Sequence, residues 1–192
     1  LNWKLNLLSE IENSLKNDPV EFSKVDKKNY LRIKTSGTID FNKQIYLYNL
    51  NESGKPGFEV INPIIINNEN YLINRGWIPK ELKGDSTVNF NLNSDQQIVG
   101  LLRKIYKANM FKPANDIVNN IWFSIKIDDL ETITGEQFKE FIIFLEDNKA
   151  EIPMTKKINI DVPNNNLKYV IKRYAITISI IFYYLYFRRK KW

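Results

Sequence analysis

Two apolar stretches separated by a short polar link constrain this chain most. Gly57-Phe58-Glu59-Val60-Ile61-Asn62-Pro63-Ile64-Ile65-Ile66 and Tyr71-Leu72-Ile73 are rich in β-branched and aromatic residues, which favour a pleated, half-buried surface. Asn67-Asn68-Glu69-Asn70 lies between them and has the residue types of a hairpin connection. Gly76 and Pro79 close the second strand. The spacing therefore predicts an antiparallel hairpin. Arg75 and Trp77 stand near its far end, where large rigid side chains can form a partner-binding surface. The same two residues can instead lock the fold, Arg75 by hydrogen-bonding loop carbonyls and Trp77 by filling the core.

Further strands come from the same pattern. Asn29–Lys34 alternates apolar and polar residues, Gly37 permits a sharp change of direction before Thr38–Phe41, and Gln44–Leu50 leads into the turn-rich Asn51–Pro56. Lys80–Gln96 is polar and reads as a mobile loop. Gln97–Arg103 and Phe138–Leu145 are two more strands, and Asp128–Thr134 is a short helix capped by Asp128. Leu1, Leu5, Leu8, Ile11 and Leu15 recur at helical spacing, so residues 1–18 form an amphipathic helix. Short strands punctuated by turns, with few helices, predict an α+β fold built on an antiparallel, barrel-like β domain over residues 19–166.

The last segment, 167–192, is of another kind. Tyr174–Phe187 carries no charge, is dense in Tyr toward its end, and runs into Arg188-Arg189-Lys190-Lys191. With Leu167, Tyr169, Val170 and Ile171 it approaches the roughly 20 residues that cross a bilayer, provided Lys172 and Arg173 snorkel. A C-terminal transmembrane helix is expected, its cationic tail on the cytoplasmic or matrix side. The domain before it then lies across an inner (plasma) membrane on the periplasmic side, or faces the intermembrane space of a mitochondrion.

Charge and composition exclude several functions. Residues 167–192 hold seven of the 28 basic residues and no acid, so the remaining 21 basic and 22 acidic side chains leave the head nearly neutral. A nucleic-acid partner calls for a basic patch on the fold itself. The chain has no His and no Cys, which removes the usual general base, thiolate chemistry and the commonest metal ligands. Adjacent acids such as Asp128-Asp129 and Glu146-Asp147 are ordinarily solvated surface. No nucleophile–base pattern stands out, so no enzyme is expected.

Several segments together carry a resemblance. Gly57, Val60 and Pro63 with Asn74-Arg75-Gly76-Trp77 and Pro79 form G-x-x-V-x-x-P followed by N-R-G-W-x-P. Phe111, Pro113 and Asn115, then Asn120, Trp122 and Asp129-Leu130, form a middle segment. Asn164-Asn165-Asn166-Leu167-Lys168-Tyr169 is close to N-N-H-L-x-Y-A. This pattern resembles the Surf1/Shy1 family of cytochrome c oxidase assembly proteins. Trp3-Lys4-Leu5, Leu7-Leu8 and Ile11-Glu12 resemble that family's segment just after a first membrane helix. The natural protein is therefore expected to extend further toward its amino end.

The resemblance implies a membrane-anchored assembly factor that assists haem a insertion or subunit I maturation, with oxidase subunit I and haem A synthase as partners. It implies haem a contacts at Asn166 and Tyr169. The family's motif has His where this chain has Asn166, and Ala where it has Val170. An amide is no substitute for imidazole on iron; Asn166 reads first as a helix N-cap and second as a hydrogen-bonding partner of a haem propionate or another protein, and Tyr169 most simply as an interfacial aromatic. A haem protein without His or Cys would need Tyr or a thioether, and Met110 and Met154 are the only methionines. The residues thus favour a scaffold over a tight haem carrier. A cofactor-free, membrane-tethered module that binds another membrane complex is the alternative.

Overall fold

The hairpin is present and is longer than its apolar runs. Strand β4 (Pro56–Ile66) pairs antiparallel with β5 (Glu69–Pro79). The connection is two residues, Asn67 and Asn68, both at positive φ, which matches the right-handed twist of the strands it joins. This computed structural model describes residues 2–89, 95–106, 112–146, 151–155 and 166–190. Met110 and Phe111 lie outside the described residues. The chain divides into two units, Leu1–Ile158 and Asn159–Trp192.

In the first unit, β2 (Leu31–Ile39), β6 (Asp95–Lys104) and β7 (Phe138–Leu145) join β4 and β5 in a closed ring, in the order β2-β6-β7-β5-β4 and back to β2. The short β1 (Val20–Glu21) flanks β2, and β3 (Ile45–Leu50) flanks β4. The expected barrel is there, but it is mixed, because β5 and β7 run parallel. Geometry requires this. Directions cannot alternate all the way round a ring of five, so one neighbouring pair must be parallel.

Even-numbered residues of β4 face inward, where Ile64 and Ile66 join Ile33, Ile39, Tyr71, Ile73, Ile98, Leu102 and Ile143 in the core. The odd face carries Ile61, which packs with Leu72, Trp122 and Leu130 outside the barrel. Leu130 comes from α2 (Ile127–Thr134). Lys126 precedes α2 without a side-chain cap, so Asp128 lies inside the first turn and does not cap it, an acid beside the positive end of the helix dipole.

Two other expectations change. Gly37 does not turn the chain; β2 runs straight through it. A Cβ there would come within 2.7 Å of the Ile65 carbonyl oxygen, so the missing side chain serves the close approach of β2 and β4 that shuts the barrel. The polar stretch after β5 is organised into 3-10 turns at Lys80–Leu82 and Ser86–Asn89, with Val88 buried. The amphipathic helix is α1 (Asn2–Lys16), and its Ser14 Oγ accepts the Arg32 N–H of β2 at 3.3 Å. Arg32 also grips Glu146, just past β7, through Nε and Nη2 at 2.9–3.0 Å.

The second unit contains α3 (Asn166–Lys190). Its 25 residues span about 37 Å at 1.5 Å per residue. Val170–Lys190 is long and apolar enough to cross a membrane, and none of its most apolar window is buried within the protein.

Candidate functional site

Strict alternation along β5 would put Arg75 and Trp77 on one side of the sheet. The register differs: Val60 pairs with Gly76 and Ile61 with Asn74, which leaves Arg75 as an inserted residue. Such a bulge re-aims the side chains around it. Asn74 and Trp77 now share the outer face, and Arg75 turns into the barrel.

Arg75 is 0 % exposed. Its Nη1 donates to Gln44 Oε1 at 3.1 Å and Asn62 Oδ1 at 3.2 Å, and its Nη2 donates to the Val88 carbonyl at 2.6 Å. The guanidinium also lies over the Phe41 ring, 5.2 Å from its centroid. Removal from water pushes its pKa down to about 10. Arg75 therefore ties the start of β3, the middle of β4 and the turn after β5 together. In the folded head it offers no surface to a partner.

On the outer face, Glu59 of β4 is buried to 7 % exposure. Its Oε1 accepts Asn49 Nδ2 at 2.6 Å and its Oε2 accepts Asn74 Nδ2 at 2.7 Å. Asn74 in turn accepts the Gly76 N–H at 3.0 Å. Above this polar row opens a cleft of about 360 Å³ lined by Leu50–Ser53, Glu59, Asn74, Gly76, Trp77, Met154 and Thr155. Trp77 is 8 % exposed and forms a wall, held by its Nε1 donating to the Asn49 carbonyl at 3.1 Å. The cleft thus has a fixed carboxylate floor, an aromatic side and a rim of turn residues.

Residues 1–178 match the SURF1 family, a family of cytochrome oxidase assembly factors. The chain belongs to the SURF1 family. A SURF1-like protein of Rickettsia conorii is 26 % identical over 204 residues, covering 98 % of this chain and 85 % of that protein. Surfeit locus protein 1 of Homo sapiens is 22 % identical over 213 residues, covering 97 % and 69 %, and that of Gallus gallus is also 22 % identical, covering 97 % and 67 %.

In this SURF1 family member the motif residues build the cleft's back wall. Gly57 lies against the indole of Trp77, where a Cβ would overlap ring carbon Cζ2 and the Ile78 carbonyl oxygen. Gly76 has φ +125°, and a Cβ on it would stand 2.5 Å from the Met154 carbonyl oxygen. That space lets Met154 pair with Trp77, N–H to carbonyl in both directions at 2.8 Å. Trp122, from the middle segment, is 1 % exposed and exchanges backbone hydrogen bonds with Tyr46 and Tyr48 of β3.

Glu59 and Asn49 escape a reading of the sequence, which picks out Asn74 only as part of a motif. A lone acid inside an apolar strand is a signal for a buried charge, but its partners come from two other strands. Asn166 opens α3 and Tyr169 lies within its first turn; their side chains fall outside the described residues.

The cleft does not fit haem a, since no Tyr is among the described residues that line it. Axial ligands to haem iron are imidazole, thiolate, thioether or phenolate, and His and Cys do not occur in the sequence. Met154 brings a thioether to the cleft, but the floor beside it is a carboxylate already held by two side-chain amides, which is not one of the usual haem-iron ligands. At about 360 Å³ the space is near the lower end of the roughly 300–1,000 Å³ of small-molecule sites. Among the described residues no group of three or more His, Cys, Asp and Glu is placed to hold a metal ion.

Proposed function

We propose that this chain is a membrane-anchored, non-enzymatic assembly factor for cytochrome c oxidase. It acts as a scaffold that holds an oxidase subunit, subunit I foremost, while haem a is inserted. The observation that carries this reading is the match to a family of oxidase assembly factors over residues 1–178, in a chain that also carries an exposed apolar helix over Val170–Lys190. The helix anchors the protein in the inner membrane with Arg188–Lys191 on the cytoplasmic or matrix side, and the near-neutral head works on the opposite side.

On this reading haem a reaches the oxidase from haem A synthase while the head holds the acceptor. A carboxylate-floored cleft and a sequence without His or Cys favour holding a polypeptide over carrying the porphyrin. The same features support a second reading, a cofactor-free module that binds a different membrane complex. Affinity purification from native membranes separates the two: co-elution of oxidase subunit I or haem A synthase supports the first, and reproducible co-elution of another complex without either supports the second. A porphyrin titration in detergent addresses haem directly. No Soret shift is expected from the head, and a shift with defined stoichiometry would make Asn166 and Tyr169 the first residues to alter.

A further inference from the structure

The carboxyl end of α3 carries more positive charge than the helix itself can use. Arg188, Arg189 and Lys190 form its last turn, Lys191 follows them, and residues 167–192 contain no acid. We propose that this end binds the phosphate headgroup of an anionic phospholipid. The proposal rests on the reading of α3 as a membrane anchor and names the lipid class that the anchor selects.

Magnitudes separate this role from ordinary helix capping. The carboxyl end of a helix presents roughly half a negative charge, so four cations leave a surplus of about three. The three cations of the last turn are exposed, and their field falls on whatever surrounds the helix end.

Spacing supplies the rest of a lipid site. Phe182, Leu185, Tyr186 and Arg189 stand at i, i+3, i+4 and i+7, so they share one face of the helix. A groove runs along that face, lined by these four together with Arg188 and Lys190. Arg189 lies about 10 Å beyond Phe182 along the axis, at 1.5 Å per residue. The apolar part of the groove suits an acyl chain, and its cationic end suits a phosphate. A guanidinium fork meets phosphate oxygens in pairs. The exposed Tyr186 adds a hydroxyl donor at the level where interfacial aromatics lie. An acidic protein segment would match the charge but not the apolar trough leading away from it. A zwitterionic phospholipid brings its own cation with its phosphate, so the surplus charge discriminates against it.

The test reconstitutes the full chain in phosphatidylcholine vesicles containing phosphatidylglycerol in both leaflets, so that orientation does not matter. Electron paramagnetic resonance of the two lipids, each spin-labelled on an acyl chain, reads the fraction of each held at the protein. Phosphatidylglycerol is expected to be preferred about threefold or more. The preference should fall toward parity at about 1 M salt, where the screening length shrinks to about 3 Å. Changing Arg188→Gln, Arg189→Gln and Lys190→Gln together should remove most of it. Changing Lys172→Gln and Arg173→Gln, near the other end of α3, should leave most of it. If the triple variant does not insert, the comparison of the two lipids on the unaltered chain and its salt dependence decides. Equal association of the two lipids, a preference that survives the triple change, or one lost with Lys172 and Arg173 instead would overturn the proposal. Release of the unaltered chain from the vesicles by carbonate would refute the anchor and the lipid site together. A chain that stays but treats the two lipids alike refutes the site alone.

Discussion

Gly57 lies directly against the Trp77 indole, with no room between them for a methyl group. The two residues are diagonal neighbours across the β4–β5 pair, where Gly57 stands opposite Pro79 and Glu59 opposite Trp77. A glycine on one strand thus sets the position of the aromatic wall on the other. Gly57→Ala should overpack this spot and cost about 1–3 kcal/mol. A lower urea midpoint with an unchanged slope would show it, and a neutral outcome would mean the indole swings aside freely.

Gly76→Ala tests a different constraint. Its φ of +125° is strained for any side chain, and the Met154 carbonyl blocks the space. The expected cost is about 1–3 kcal/mol. The local signature is specific: amide exchange at Trp77 and Met154 should accelerate together, because they donate to each other's carbonyls.

Arg75→Lys replaces a fork by a point charge. One ammonium cannot reproduce the bonds to Gln44, Asn62 and the Val88 carbonyl, and buried acceptors are left unmet. A loss of about 2–4 kcal/mol is expected, read as a fall in denaturation midpoint with faster exchange across the Ser86–Asn89 turn.

Acid should weaken the head through Glu69. Hydrogen bonds from Lys139 and then from Tyr71 hold its carboxyl well below the ordinary 4.5, at about 2. A depressed carboxyl contributes its stability in full above pH 4.5 and loses it progressively as pH falls toward 2. Glu69→Gln should remove this part of the pH dependence and leave the behaviour above pH 5 nearly flat. Denaturant midpoints of both proteins between pH 2 and 6 check it.

Ile180→Lys puts a charge near the middle of the uncharged run of α3. Insertion scales assign about 2.5–3.5 kcal/mol to a lysine at a helix centre. The variant should move from the pellet toward the supernatant on carbonate extraction of membranes, while the unaltered chain stays in the pellet.

Much of the head was legible because strands announce themselves locally. Tyr71-Leu72-Ile73 and Phe141-Ile142-Ile143-Phe144 each carry enough β-branched and aromatic character to be placed without neighbours. Closure was not legible, since nothing in Phe138–Leu145 tells that it lies parallel to β5. The bulge was hidden for a related reason. Period-two reading joins Arg75 with Trp77, and only the pairing of Val60 with Gly76 shows that Trp77 belongs with Asn74. The cleft floor needed three strands in register before Asn49, Glu59 and Asn74 met. Gly37 misled because a glycine that makes room for a crossing strand looks like one that turns the chain.

The seam between β5 and β7 has a consequence for how the head is made. The stave that fills the gap, Phe138–Leu145, is the last of the ring to leave the ribosome. Until it arrives, β5 and β6 each present a bare edge that invites pairing with other chains. The cylinder can be completed only after nearly the whole head has been synthesised, so any helper that shields those edges has to remain until residue 145 has emerged.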